Sequence, residues 1–253
     1  MKLTEQMESN GRWLFRHRSH LPLMVLAGAV LAFRQFSFPW GRHDLQELWE
    51  VFCLGVSVSG LLIRAHAVGH APRGTSGRNR RAQAASVLNT TGLYSIVRHP
   101  LYVGNFLAWL GVAMVPHSLS LACVVALVFW IYHERIICAE EAFLEQKFGD
   151  DFRRWAARVP TFVPKPALWV KPALPFALRK VIRQEYLGAF ALMSVFLLFE
   201  GAADWAAEGF LRWEAPWLVA WVVAFGVFVG IRLVLKFTTL LELEPRVAVM
   251  PPA

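Results

Sequence analysis

Apolar residues gather into long runs separated by polar, mostly basic, segments. The runs extend over Leu21 to Phe38, Trp49 to Val68, Tyr102 to Val115, Leu119 to Ile137, Leu187 to Phe199 with flanks, and Trp217 to Leu235. The hydrocarbon core of a bilayer takes about twenty apolar residues per helix. The pattern therefore predicts an all-α protein, a polytopic transmembrane helical bundle of about six spans. The third and fifth runs are short, which requires tilt, a re-entrant path or extension through polar flanks. A different periodicity follows the fourth run. Phe143, Leu144, Phe148, Phe152 and Trp155 recur at helical spacing, with Lys147, Arg153, Arg154 and Arg158 around them. This predicts an amphipathic helix broken or kinked at Gly149, lying either at an anionic lipid interface or on the surface of the protein.

Composition agrees with the pattern: of 253 residues 56% are hydrophobic and 17% charged, where soluble domains carry about a quarter charged. The first run has no convincing cleavage site after it and reads as a span rather than a signal peptide. The net charge of +8 is unevenly placed. Lys2, Arg12, Arg16 and Arg18 precede the first run; Arg64, Arg73, Arg78, Arg80, Arg81 and Arg98 stand between the second and third; Arg135 to Arg183 follow the fourth. The segment between the last two runs instead holds Glu200, Asp204, Glu208 and Glu214 with Arg212. Basic loops stay cytoplasmic, so six spans predict an integral, multi-pass membrane protein with both termini in the cytoplasm. Basic residues divided among membrane loops do not form a nucleic-acid groove.

Three sections follow: residues 1–70 with a basic lead and two spans; 71–166 with a Gly/Arg loop, two spans and the charged tail; and 167–253 with a Pro-punctuated linker, KPALWVKPALP, and two further spans. Cys53, Cys123 and Cys138 lie in or at the end of apolar runs without paired spacing and read as packing residues. No Gly-rich phosphate loop or serine nucleophile elbow occurs. His66 and His70 would share one helix face, but the remaining histidines are scattered, so no metal is expected. Arg34, Arg64 and Arg232 lie near span ends, where snorkelling accounts for them.

The densest chemistry is the stretch LNTTGLYSIVRHPLYVG, Leu88 to Gly104, at the mouth of the third run. It combines Gly92, Tyr94, the Arg98-His99-Pro100 triplet, Tyr102 and Gly104. Polar and charged groups there are costly unless they hold something. After the next hairpin come Glu140 and Glu141, adjacent on a helix and so expected to point to different faces.

This ordered set, with Phe148-Gly149 and Val159-Pro160 following, resembles the isoprenylcysteine carboxyl methyltransferase and phospholipid N-methyltransferase superfamily of integral membrane enzymes. The resemblance covers residues 86–165. It implies S-adenosylmethionine as cofactor and a cytoplasmic cofactor site capped by an interfacial helix. By that resemblance Tyr94 and Tyr102 would pack on or hydrogen-bond the adenosine. His99 and the backbone near Leu88 and Asn89 would hold polar ends, Pro100 would fix the turn, and Gly104 and Glu140 would complete the cofactor contacts. Arg135 would orient an anionic acceptor, with Glu141 as a partner or base. Two departures stand out. Ser86-Val87-Leu88-Asn89 replaces the His-x-Leu-Val stretch common in relatives, and two spans follow the charged tail. The expected function is methyl transfer to a lipophilic acceptor from the bilayer: a prenylcysteine carboxylate, a phospholipid amine or a lipid phosphate. The alternatives are a non-catalytic lipid-binding or transport protein and a membrane reductase of related topology.

Overall fold

A computed structural model describes residues 3–17, 21–34, 36–72 and 85–241. Eight α-helices occur among them: α1 (Leu3–His17), α2 (Leu21–Phe33), α3 (His43–His70), α4 (Pro100–Met114), α5 (Leu119–Phe148), α6 (Asp150–Ala156), α7 (Leu178–Glu208) and α8 (Ala215–Phe237). No strand occurs among the described residues, only an isolated bridge between Gly92 and Val170. The protein is an all-helical polytopic bundle.

Four helices, α3, α5, α7 and α8, are long and apolar enough to cross a membrane. The other two apolar helices are shorter: α4 has 15 residues and α2 has 13. The short fifth run is extended through its polar flanks into the 31-residue α7. The first run ends early, at Phe33 rather than Phe38, so it is the first and third that are short. The basic lead also forms a helix, α1, which the charge pattern did not announce. It lies on α5, where Tyr132 donates to the Leu14 carbonyl at 2.7 Å and a methyl on Gly11 would collide with the Arg135 backbone.

The main core joins Val25, Ala29 and Phe33 of α2 to Cys53, Val112, Ala113, Phe196, Phe199, Ala203 and Trp217. Around it Val30, Leu62, Trp130, Val222 and Val223 face outward, as a lipid-facing surface requires. With lipid on the outside, apolar burial alone drives helices together weakly, and close backbone packing matters more. The antiparallel pair α3 and α4 shows this. A methyl on Gly60 would strike the Gly104 carbonyl, and one on Gly111 would strike Ser57 and the Cys53 carbonyl. Ser57 Oγ donates across the seam to the Ala108 carbonyl at 2.9 Å.

At 1.5 Å per residue the 30 residues of α5 reach about 45 Å, longer than a hydrocarbon core of about 30 Å. Its last turns therefore project, carrying Glu140 and Glu141. Gly149, with φ +54°, ends α5 and lets α6 turn back, as the sequence predicts. The apolar stripe then packs inward: Phe152, Trp155 and Val159 form a cluster with Leu88, Tyr94, Leu144 and Phe148. The stripe thus faces the protein, with Arg153 and Arg154 on the exposed side.

Candidate active site

Gly92 has φ +62°, a conformation favouring glycine, and opens a 3-10 turn over Leu93–Ser95. The following chain holds this turn in place. Gly92 N–H donates to the Val170 carbonyl at 2.9 Å. Ser95 Oγ donates to the Gly92 carbonyl at 2.7 Å and accepts from Val170 N–H at 2.9 Å. Arg98 N–H donates to the Pro160 carbonyl, and Lys165 N–H to the Ile96 carbonyl, both at 2.9 Å. The Pro-punctuated linker thus lies on the Leu88 to Gly104 segment, and His66 and His70 face it: His70 meets the Leu174 carbonyl at 2.8 Å, and the His66 ring stands 6.0 Å from Trp169.

Pro100 starts α4, where its missing N–H is harmless. This aims His99 and Tyr102 at the projecting end of α5. His99, 7% exposed, stands between the two glutamates: Nε2 meets Glu141 Oε1 at 2.9 Å, and Nδ1 lies 3.6 Å from Glu140 Oε2. Tyr102 donates its hydroxyl to Glu140 Oε1 at 2.7 Å. Arg98 Nε lies 3.3 Å from Glu141 Oε1, and its Nη2 donates to Thr161 Oγ1. The adjacent carboxylates were expected to point apart; the structure brings both to His99 and separates their other partners.

Tyr94 sits beneath α6, its carbonyl accepting from Trp155 Nε1 at 3.1 Å. Burial, reinforced by the Glu140 charge and opposed by Arg64, raises the Tyr94 phenol above the usual tyrosine value. It therefore stays a neutral donor throughout the physiological range.

The remaining sequence-derived residues are placed differently. Leu88 packs on the α6 cluster, and Asn89 Oδ1 accepts from Thr91 N–H at 3.5 Å, a local turn contact. Gly104 serves the α3–α4 crossing, where a methyl would lie 2.6 Å from Arg64 Cγ. Arg135 turns back along its own helix, donating to the Ile131 carbonyl at 2.9 Å. Five residues of helix turn it well away from the face of Glu140, and Arg98 is the guanidinium beside the glutamates.

Two further groups carry weight. The His133 ring stacks on Phe129 at 3.7 Å and meets Tyr102 edge-on at 4.9 Å. Its place seven residues before Glu140, two turns along one helix face, is the signal that would have found it. Arg64, expected to snorkel, instead makes a bidentate pair with Glu185 of α7 at 2.8 and 2.9 Å and donates to Asn105 Oδ1 at 2.7 Å. No sequence pattern pairs residues on α3 and α7. Beside Phe129, an apolar cleft between α2, α4 and α5 is lined by Val25, Gly28, Trp109, Leu121 and Val125.

Residues 77–151 match the family model described as phospholipid methyltransferase. Within this segment the chain is similar to phospholipid and isoprenylcysteine methyltransferases. It is 31% identical over 123 residues to the protein-S-isoprenylcysteine O-methyltransferase of Schizosaccharomyces pombe, covering 47% of this chain and 50% of that one. The Arabidopsis thaliana protein-S-isoprenylcysteine O-methyltransferase B is 33% identical over 124 residues, 47% of this chain and 62% of its own. The cobalt-zinc-cadmium resistance protein of Cupriavidus metallidurans is 39% identical over 84 residues, 33% of this chain and 38% of its own. The chain thus spans less than two thirds of the length of each of these relatives. No solved structure matches it significantly. The ordered residues from Gly92 to Glu141 fall inside the matched segment, and α7 and α8 lie outside it.

Proposed function

We propose that the chain is a membrane methyltransferase that moves a methyl group from S-adenosylmethionine to a lipophilic acceptor. The observation that carries this reading is the convergence of Tyr102, His99, Glu140 and Glu141 at the projecting ends of α4 and α5, within the methyltransferase-family segment. The donor set suits an adenosyl sulfonium: two carboxylates face one guanidinium, Arg98, so the site leans negative toward a cationic ligand. Tyr94 and Tyr102 provide hydroxyls and aromatic faces, and the absence of a phosphate loop fits a cofactor without phosphate.

When bound, the sulfonium supplies an activated methyl carbon open to in-line displacement. The protein's part is alignment and exclusion of water. Glu140, held by Tyr102, would engage the donor's cationic end, while His99 and Arg98 fix Glu141 beside it. The acceptor's apolar chain would come from the bilayer, and the apolar cleft at Val25, Trp109 and Leu121 is a candidate place for it. The site would face the cytoplasm, in keeping with the basic loops on that side.

The test is full-length protein in nanodiscs of total membrane lipid, given methyl-labelled S-adenosylmethionine. Label should appear in organic-extractable product and disappear in Glu140→Gln and His99→Ala. Release of the label by mild alkali would identify a carboxylate acceptor, and alkali-stable label an amine. A wild type that neither binds the donor nor transfers label defeats the reading.

A further inference from the structure

The opposite end of the bundle holds a second polar cluster. His43 opens α3, Asp204 and Glu200 lie near the end of α7, and Glu214 precedes α8. Along the 28 residues of α3 this is about 40 Å from His70 and the linker. All these residues lie outside the family segment 77–151.

The His43 ring is fixed on both sides. Nε2 meets Asp204 Oδ1 at 3.2 Å, and Phe38 packs edge-on against the ring at 4.8 Å. Nδ1 then faces two carboxylates, Glu47 Oε1 at 3.3 Å and Glu214 Oε1 at 3.7 Å. If the Asp204 carboxylate accepts the Nε2 proton, Nδ1 offers a lone pair toward oxygens that can only accept. Such an arrangement is repulsive unless a cation or a proton sits at its centre. One ligand atom from each of His43, Glu47 and Glu214 lies within 4.8 Å of the others. A tetrahedral site with bonds of about 2.0–2.1 Å has neighbouring ligand atoms about 3.3 Å apart. Of the two His43 separations, the one of 3.3 Å equals that spacing and the one of 3.7 Å is longer.

An independent observation comes from beneath the trio. Asp204 and Glu200 are 2% and 4% exposed, yet Asp204 Oδ2 and Glu200 Oε2 have no hydrogen-bond partner among the described residues. Glu200 Oε1 accepts the Glu214 N–H at 2.8 Å, placing it at the same spot. Buried carboxylates without partners are costly unless they take up a proton or a cation compensates them. On the exposed rim the Arg212 guanidinium lies 3.4 Å from Glu214 Oε1, so a metal at this oxygen would compete with it.

We propose that His43, Glu47 and Glu214 bind a divalent transition-metal ion of the zinc type, with Asp204 as the carboxylate that orients His43. An imidazole with two carboxylates is a donor set that zinc accepts, leaving a fourth position to water. Asp204 acts through the ring rather than on the metal, fixing the tautomer that presents Nδ1. Because two ligands come from the first turns of α3 and the third from the residue joining the α7–α8 loop to α8, the ion would clamp that corner to α3.

The experiment uses full-length protein with a non-histidine affinity tag, stripped with chelator and given zinc alone, with bound metal measured by elemental analysis. One zinc per chain is expected, and cobalt substitution should give ligand-field bands of a four- or five-coordinate N/O site. His43→Ala and Glu214→Gln should each abolish stoichiometric binding. Asp204→Asn should weaken affinity about 10- to 100-fold while keeping one ion per chain. A His66→Ala/His70→Ala double variant should bind as the wild type does. Retention of zinc in His43→Ala, or its loss in the His66/His70 double variant, puts the metal elsewhere and overturns the proposal. So does a wild type that binds no zinc and shows a doubly protonated His43 ring by nitrogen NMR, the sign of a closed ion-pair network. The cobalt spectrum of the wild type decides the matter even if a variant fails to fold.

Discussion

The two ends of this bundle use the same side chains, histidine among carboxylates, and differ in how charge is matched. At the Tyr102 end each acid has a cation or donor: Arg98 and His99 for Glu141, Tyr102 for Glu140, Arg64 for Glu185. At the His43 end Glu200 and Asp204 each keep an oxygen without a partner. Matched charge makes a rigid framework for a ligand with its own polar groups. Unmatched carboxylate makes a demand for a cation. The family segment covers Arg98, His99, Tyr102, Glu140 and Glu141, whereas Arg64, Glu185 and the unmatched end lie outside it.

Removing a cation from the matched end should do the most damage. Arg64→Ala strands Glu185 between α3 and α7, and breaking such a pair costs about 3 kcal/mol. That corresponds to roughly 6–12 °C in apparent unfolding temperature for a chain of this size, read by size exclusion after heating. If the temperature does not move, the pair is not a clamp and the contrast between the ends fails.

Next in size is the chemistry. Glu140→Gln keeps shape but removes charge beside Tyr102 and His99, and transfer should fall about 100-fold, near 2.7 kcal/mol of barrier. Donor binding should weaken with it in calorimetry. Undiminished transfer would take Glu140 out of the site.

A pair of arginine variants sharpens the picture of the matched end. Arg98→Ala leaves Glu141 without its guanidinium and should lower transfer about tenfold. Arg135→Ala removes a side chain bonded only to its own helix among the contacts described, and should stay within about twofold. The reverse order would restore the acceptor-orienting role that the family resemblance gives Arg135.

The smallest effect has the opposite sign. Glu200→Gln removes a negative charge whose Oε2 has no partner and keeps the acceptor for Glu214 N–H. In chelator it should stabilise the protein by about 1 kcal/mol, some 2–4 °C by the same heating assay. Destabilisation would mean that the unmatched end has a compensating partner.

Much of the architecture was legible because a bilayer restricts the options. Apolar runs must be helices, so the elements α2 to α5, α7 and α8 and the break at Gly149 followed from periodicity and composition. Lengths were less secure, since α7 extends through polar flanks and α2 stops early for reasons that lie in its neighbours. The active-site motif was legible because most of it is local. His99, Pro100 and Tyr102 share one turn at the start of α4, and Glu140 and Glu141 share another on α5. The surroundings of Gly104 and Arg135 were not legible, because a resemblance transfers residue types and not directions. Gly104 is fixed by the approach of α3, and Arg135 by its rotation about α5.

By itself, then, the sequence determined the class of fold, the break after α5 and the polar packet at the mouth of α4. All of these rest on interactions within a few residues or on the solvent that surrounds the chain. Only the tertiary structure decided which carboxylates have partners. Arg64 and Glu185 are 121 residues apart and His43 and Asp204 are 161 apart, so their pairing depends on how α7 returns beside α3. Helix periodicity sets which face a residue occupies, but the charge that meets it there is set by the neighbouring helix.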